Sequence, residues 1–139
     1  MAISVEFSLD VQATAEKLWD ILTDVESWPS WQGTPFVKLS APGSIKEGST
    51  FIANLGGLKW NIVVTTAERP HKIVWIGQNL GLKGVHGWEF NEEQGKTRAT
   101  TRETMTGWLL FLTYPMVKQG LSKNDEKWLA DLKARAESS

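Results

Sequence analysis

Residues 3 to 11 alternate between apolar and polar. Ile3, Val5, Phe7, Leu9 and Val11 fall on one face, and Ser4, Glu6, Ser8 and Asp10 on the other. A period of two over this length predicts a half-buried strand. The period then changes. Leu18, Trp19, Ile21, Leu22 and Val25 recur at helical spacing behind Thr14, a good N-cap. A second short helical piece runs from Glu26 to Trp31, with Pro29 in its first turn, where a missing N–H costs little.

From Thr34 the texture becomes β-rich. Strands are expected near Phe36–Ser40, Thr50–Asn54, Leu58–Ala67, Lys72–Gln78, Leu82–Asn91 and Thr97–Thr106. Glycine- and proline-containing turns separate them at 41–49, 55–57, 68–71, 79–81 and 92–96. Short turns between successive strands imply an antiparallel meander. Trp108 to Leu112 is apolar on every side, and Pro115 is expected to start or kink a long helix. Beyond it, Val117, Leu121, Trp128 and Leu132 form one stripe, while Lys118, Lys123, Lys127, Asp131 and Arg135 occupy the remainder. The order is strand, two short helices, six strands, long helix. The fold class is α+β: a seven-stranded antiparallel sheet whose apolar face only the C-terminal helix is long enough to cover. A strongly curved sheet gripping one helix closes poorly, so a cavity between them is expected.

Composition narrows the function classes. The 139 residues suit a single domain over 1–139. Fifteen Lys and Arg against sixteen Asp and Glu leave a net charge of −1 with no basic block, which argues against nucleic acid as a partner. The absence of cysteine excludes disulfides, thiolate nucleophiles and Cys-ligated metals. No signal peptide is expected at Met1–Glu6. The longest apolar stretch, Trp108 to Val117, is too short for stable membrane insertion, so a cytoplasmic location is the default. Oligomeric state is left open. Eight tryptophans are many for this length. They read equally well as core packing and as an aromatic wall around a ligand.

The same order of elements comes with recognisable short motifs. They are Val11-Gln12-Ala13-Thr14-Ala15-Glu16-Lys17-Leu18-Trp19-Asp20, and Trp28-Pro29-Ser30-Trp31 after Asp24. Later come Pro70-His71-Lys72-Ile73-Val74-Trp75, His86-Gly87-Trp88-Glu89-Phe90, and Thr97-Arg98 with Glu103 and Gly107. Trp128-Leu129-Ala130-Asp131-Leu132-Lys133 lies near the end. Together they resemble the START-like (SRPBCC) superfamily, and within it the polyketide cyclase/dehydrase-like branch. The resemblance spans essentially the whole chain. It implies a helix-grip fold with a deep, mostly apolar cavity, and no single activity: relatives of this kind include lipid and hormone binders, aromatase/cyclases and quinone-binding proteins. It implies no cofactor and carries over no catalytic signature.

One polar constellation stands out. If Gln94-Gly95 closes a two-residue hairpin, Glu93 pairs with Lys96 and every facing pair sums to 189. Phe90 then faces Ala99, Trp88 faces Thr101, and His86 faces Glu103. The same reasoning across Leu80-Gly81 sets Trp75 beside His86. This register places His86, Trp88, Phe90, Ala99 and Met105 on the inner face. A histidine and a carboxylate inside an apolar pocket read as an acid/base pair, as a ligand contact, or as a structural pair in which Glu103 merely has the partner it needs. Burial should lower the histidine's pKa and the Glu103 charge should raise it. His71, in a proline-containing turn, is expected to be solvated. Two histidines 15 positions apart and without a carboxylate cluster make a poor metal site, so no metal is expected. The expected cavity residues are Trp60, Ile62, Trp75, His86, Trp88, Thr101, Glu103 and Met105 from the sheet, with Tyr114, Val117 and Leu121 from the helix. The reading is a binder of a lipid-like or aromatic small molecule. The alternatives are a cyclase/dehydratase-like enzyme using His86 and Glu103, and a module in which Trp108–Val117 docks on a partner or a membrane.

Overall fold

A computed structural model describes residues 1–138. Seven antiparallel strands form one sheet: β1 (Ala2–Val11), β2 (Val37–Leu39), β3 (Thr50–Leu55), β4 (Leu58–Glu68), β5 (Lys72–Asn79), β6 (Leu82–Glu93) and β7 (Lys96–Thr106). Their order is β1-β7-β6-β5-β4-β3-β2, so the first strand closes on the last. Two short helices, α1 (Ala15–Thr23) and α2 (Trp28–Trp31), follow β1, joined by a 3-10 turn, and α3 (Leu110–Ser138) ends the chain. This is the helix-grip arrangement, with strand bounds within about two residues of the pattern-based ones.

Local chemistry explains the elements. Thr14 caps α1 by accepting from the Lys17 N–H at 3.1 Å, and the Glu92 carboxylate accepts from the Ala15 N–H at 2.7 Å, so a strand residue satisfies a second orphan donor. Leu18, Trp19 and Leu22 are buried on the inner side of α1. The Trp28 indole donates to the Leu22 carbonyl at 2.9 Å and fixes α2 against it. The hairpin β6–β7 turns through Gln94 (φ 54°) and Gly95 (φ 78°), the left-handed pair a two-residue loop needs. The 189 register follows as expected: His86 faces Glu103, Trp88 faces Thr101 and Phe90 faces Ala99. Trp75 faces His86.

One expectation about α3 is corrected. Pro115 does not start the helix, which begins at Leu110 and continues through the proline. The first turn is wound tightly, with Leu110, Phe111 and Leu112 each donating to the carbonyl three residues earlier. Pro115 and Phe111 are both exposed, so the carbonyl of Phe111, deprived of its usual partner by the proline, lies on the solvent side. No described helix is long and apolar enough to cross a membrane.

Packing is uneven, and this positions the site. The backbone of α3 approaches the sheet most closely at β1 and β7 and also meets α1. At its far end, Lys133 donates to the Asp10 carbonyl at 2.7 Å, and the Glu137 carboxylate accepts from the Gln12 N–H at 2.8 Å. The helix therefore leans on one side of the sheet. Strand β4 bends at a register shift between Val64 and Thr66. The inner face of β4 to β6 is left across a gap from the first half of α3.

Candidate functional site

The gap is a cavity of about 340 Å3. Trp60, Ile62, Trp75, Leu82 and Met105 wall it from the sheet, and Met116, Val117, Gly120, Leu121 and Asn124 from α3. Leu58 and Met116 stand at its exposed rim. His86, Glu103 and Trp128 lie at its inner end.

His86 is held tightly. Its ring centroid is 5.2 Å from those of Trp75, Trp88 and Trp128, stacked on Trp88 and edge-on to the other two. Nε2 is 2.6 Å from the Thr101 hydroxyl, and Nδ1 is 3.4 Å from Glu103 Oε1. Asp125, from α3, brings Oδ2 to within 4.0 Å of His86 Nε2. A glycine at 84 makes room for this group: a Cβ there would lie 2.9 Å from Glu103 Oε2.

The electrostatics follow from burial. Asp125 is wholly buried, and no backbone, hydroxyl or indole donor reaches either of its oxygens. Glu103 and Asp125 share this buried end of the cavity, and two carboxylates there can hydrogen-bond only if one of them carries a proton. Desolvation first, then the charge of Asp125 and a hydrogen bond to it, hold the Glu103 pKa well above its ordinary value of 4.5. His86 moves the other way: burial lowers its pKa, and the charge of Asp125 opposes the shift only in part. The floor thus pairs a carboxylic acid that holds its proton more tightly than usual with an imidazole that holds its proton less tightly. The charge acting on His86 is that of Asp125, which corrects the expectation that Glu103 supplies it.

Of the residues expected around the cavity, Trp60, Ile62, Trp75, His86, Glu103, Met105, Val117 and Leu121 border it. Trp88, Thr101 and Tyr114 do not. Trp88 and Thr101 lie deeper, fully buried behind His86. Tyr114 is half-buried outside the wall. The helical strip facing the cavity runs through Met116, Gly120 and Asn124, and Tyr114 is turned about 200° from Met116. Leu82, Met116, Gly120 and Asn124 border the cavity without being expected there, as does Trp128, which the pattern places only in the helix stripe, and Asp125 joins the floor from outside the expected set. Asp125 also overturns the premise that no carboxylates cluster near a histidine: one ligand atom from each of His86, Glu103 and Asp125 lies within 4.8 Å of the others. The three side chains form one buried polar cluster at the cavity floor, with His86 Nε2 also 2.6 Å from the Thr101 hydroxyl.

The tryptophans divide between the core, the cavity wall and the surface. Trp28, Trp88 and Trp128 are buried side by side, Trp60 and Trp75 front the cavity, and Trp108 is 64% exposed. His71 is exposed in its turn.

Among known structures, a START superfamily protein from Mycobacterium smegmatis superposes with a TM-score of 0.79 at 18% identity, over 97% of both chains. The Zhui aromatase/cyclase from a Streptomyces species gives 0.79 at 16% identity, covering 99% of this chain and 94% of that one. Norcoclaurine synthase from Thalictrum flavum gives 0.73 at 11%, covering 99% and 88%. No curated protein sequence matches. The model of the family described as polyketide cyclase / dehydrase and lipid transport matches residues 2–137, and the chain belongs to that family.

Proposed function

We propose that this chain binds a hydrophobic small molecule, lipid-like or aromatic, in the cavity between the sheet and α3. The observation that carries this reading is the lining: about 340 Å3 of space walled almost wholly by aliphatic and aromatic side chains, with polar groups confined to the inner end and to Asn124. Small-molecule sites are concave and apolar in this way, with a few placed polar groups to orient the ligand. The volume suits a molecule of modest size. The norcoclaurine synthase neighbour holds dopamine and hydroxybenzaldehyde, so this fold accommodates aromatic molecules elsewhere.

Native mass spectrometry of freshly purified protein is expected to reveal a co-purified small molecule. Apolar probes are expected to quench tryptophan emission, since Trp60, Trp75 and Trp128 border the site. Protein of bare-chain mass, unresponsive to a broad panel of fatty-acid-like and aromatic probes, would overturn the reading.

A second reading, turnover by a cyclase/dehydratase-like mechanism, is favoured by one observation: Glu103, whose pKa burial raises, lies 3.4 Å from His86, whose pKa burial lowers. An acid and a base on one cavity floor can deliver and remove a proton in the same pocket. Glu103→Gln discriminates the two readings. Loss of turnover with ligand binding retained supports the enzyme; absence of turnover in wild type with polyketide-like substrates leaves the binder.

A further inference from the structure

The cavity mouth lies at one end of the sheet, where three segments meet. They are the β3–β4 turn, the β5–β6 turn, and the junction of β7 with α3. The Leu109 N–H donates to the Gly81 carbonyl at 3.1 Å, tying the second to the third, and the cavity wall runs from Gly56 and Leu58 across to Met116 and Gly120. Six large apolar side chains on these segments stand in solvent: Leu58 (45%), Leu80 (88%), Trp108 (64%), Phe111 (80%), Leu112 (72%) and Met116 (68%). Met1, 73% exposed, is at the same end, because Ala2 pairs with Thr106. Scattered exposed hydrophobics need no explanation; a gathering of them does. Within the apolar run 108–117 the two sides divide. Leu110 is buried and Leu109 half-buried, while Phe111 and Leu112 face out.

Charge is sorted along the same axis. Residues 54–60, 78–84 and 106–124 contain four lysines, Lys59, Lys83, Lys118 and Lys123, and no Asp or Glu. All sixteen carboxylates of the chain lie outside these segments, although its net charge is −1. All four lysines are exposed, and none has a carboxylate partner among the described residues. Exposed aromatic and aliphatic side chains rimmed by unpaired lysines match a surface that sits in a bilayer interface, with rings at the acyl boundary and ammonium groups among anionic headgroups. A second copy of the chain fits less well, because a two-fold interface would lay this lysine-only rim against itself.

We propose that this end of the molecule docks peripherally on an anionic phospholipid bilayer, with the cavity mouth at headgroup level. An apolar ligand then moves between bilayer and cavity without crossing water. The contact is reversible, made by side chains of two turns and one helix end.

The test is co-sedimentation of the full chain with vesicles of phosphatidylcholine alone and with vesicles in which about three lipids in ten are phosphatidylglycerol. Binding is expected to the anionic vesicles, weakening as salt is raised. Phe111→Ser with Leu112→Ser should weaken it roughly tenfold or more per side chain. Lys83→Glu with Lys118→Glu, which leaves the apolar patch intact, should weaken it about fivefold or more per lysine. Circular dichroism checks that each variant is folded. No binding to anionic vesicles at low salt, or equal binding by wild type and the lysine variant, would overturn the proposal. So would a dimer in sedimentation that Phe111→Ser abolishes while vesicles remain unbound. The vesicle assay contains no ligand probe and the probe assay contains no vesicles, so failure of docking and failure of ligand binding are read separately.

Discussion

Asp125 sets the chemistry of the cavity floor. A wholly buried carboxylate costs several kcal/mol unless partnered. Here its neighbours are the Glu103 carboxyl, whose pKa burial and the Asp125 charge raise, and His86, with Nε2 4.0 Å away. Asp125→Asn is expected to lower the His86 pKa further, because the opposing charge is gone while the burial stays. NMR titration of His86 checks this, with exposed His71 as the unmoving reference. A His86 that titrates identically in both proteins would exclude the coupling. Glu103 gives a second, signed prediction. The unfolded chain releases this proton near 4.5, whereas the native state holds it to a pH well above that. The native state binds more protons in that interval, so the stability this group contributes is present below 4.5 and is lost as pH rises toward the native pKa. Glu103→Gln keeps the shape and a donor but cannot ionise. Its Tm relative to wild type should therefore climb as pH rises above 4.5. A difference that stays flat through neutral pH would mean that Glu103 ionises normally. His86 acts in the opposite sense. Its native pKa lies below 6.5, so its contribution is present above 6.5 and is lost as pH falls below that value. The facing of His86 and Glu103 was legible because turn chemistry fixes a hairpin's register, and register fixes partners. Asp125 left a fainter mark, a charged residue in the stripe 117, 121, 125, 128, 132. Which acid keeps its proton depends on burial in three dimensions, which no periodicity encodes.

At the scale of elements, α3 does two jobs with different sides of one helix. Leu129, Leu132 and Ala136 pack the core, Met116, Gly120 and Asn124 front the cavity, and Leu121 and Trp128 stand between the two. The apolar stripe was readable; its rotation relative to the cavity was not, because that depends on the helix leaning toward β1 and β7. The placement of Tyr114 in the wall failed for that reason. The helix start was obscured by Pro115, since the sequence does not show that the carbonyl the proline leaves unpaired lies on the exposed side. Gly120 offers a test of the division of labour. A Cβ built there meets nothing within 4 Å, and the position borders the cavity. Gly120→Leu should stabilise the helix by about 0.8–1 kcal/mol on propensity alone while filling ligand space. The expected result is a higher denaturation midpoint together with loss of most probe affinity. Unchanged affinity would mean that ligand does not occupy this part of the cavity. The junction that starts α3 is less forgiving. Gly107 has φ 130°, and a Cβ there would lie 2.2 Å from the Gly81 carbonyl oxygen. Gly107→Ala should cost about 2–4 kcal/mol, readable as a lower urea midpoint with unchanged slope.

Taken as a whole, the molecule has two unlike ends. At the closed end α1, the β4–β5 turn, the β6–β7 hairpin and the last turn of α3 are laced by polar contacts, Arg69 of the turn with Glu16 and Asp20 of α1 among them. At the open end turns and helix start meet over the cavity with exposed apolar side chains and unpaired lysines. Between them, Trp28, Trp88 and Trp128 are buried in the core, and the cavity lies from Trp128 toward the open end. A cavity walled by apolar side chains forfeits contacts that a solid core would make, and a ligand that fills it restores them. Ligand should therefore act on the stability of the entire fold, since it joins α3 to the strands that the helix does not otherwise touch closely. For a ligand that binds only the native state, stabilisation at a hundredfold excess over Kd is about 2.7 kcal/mol, which corresponds to roughly 8 °C in Tm for a chain of this length. Scanning calorimetry with the apolar probe that best quenches tryptophan emission should show that rise in wild type. It should show little of it in Gly120→Leu, where the space is already taken. A probe that quenches emission yet leaves Tm unchanged at saturating concentration would be touching exposed Trp108 at the surface, and would place its binding outside the cavity.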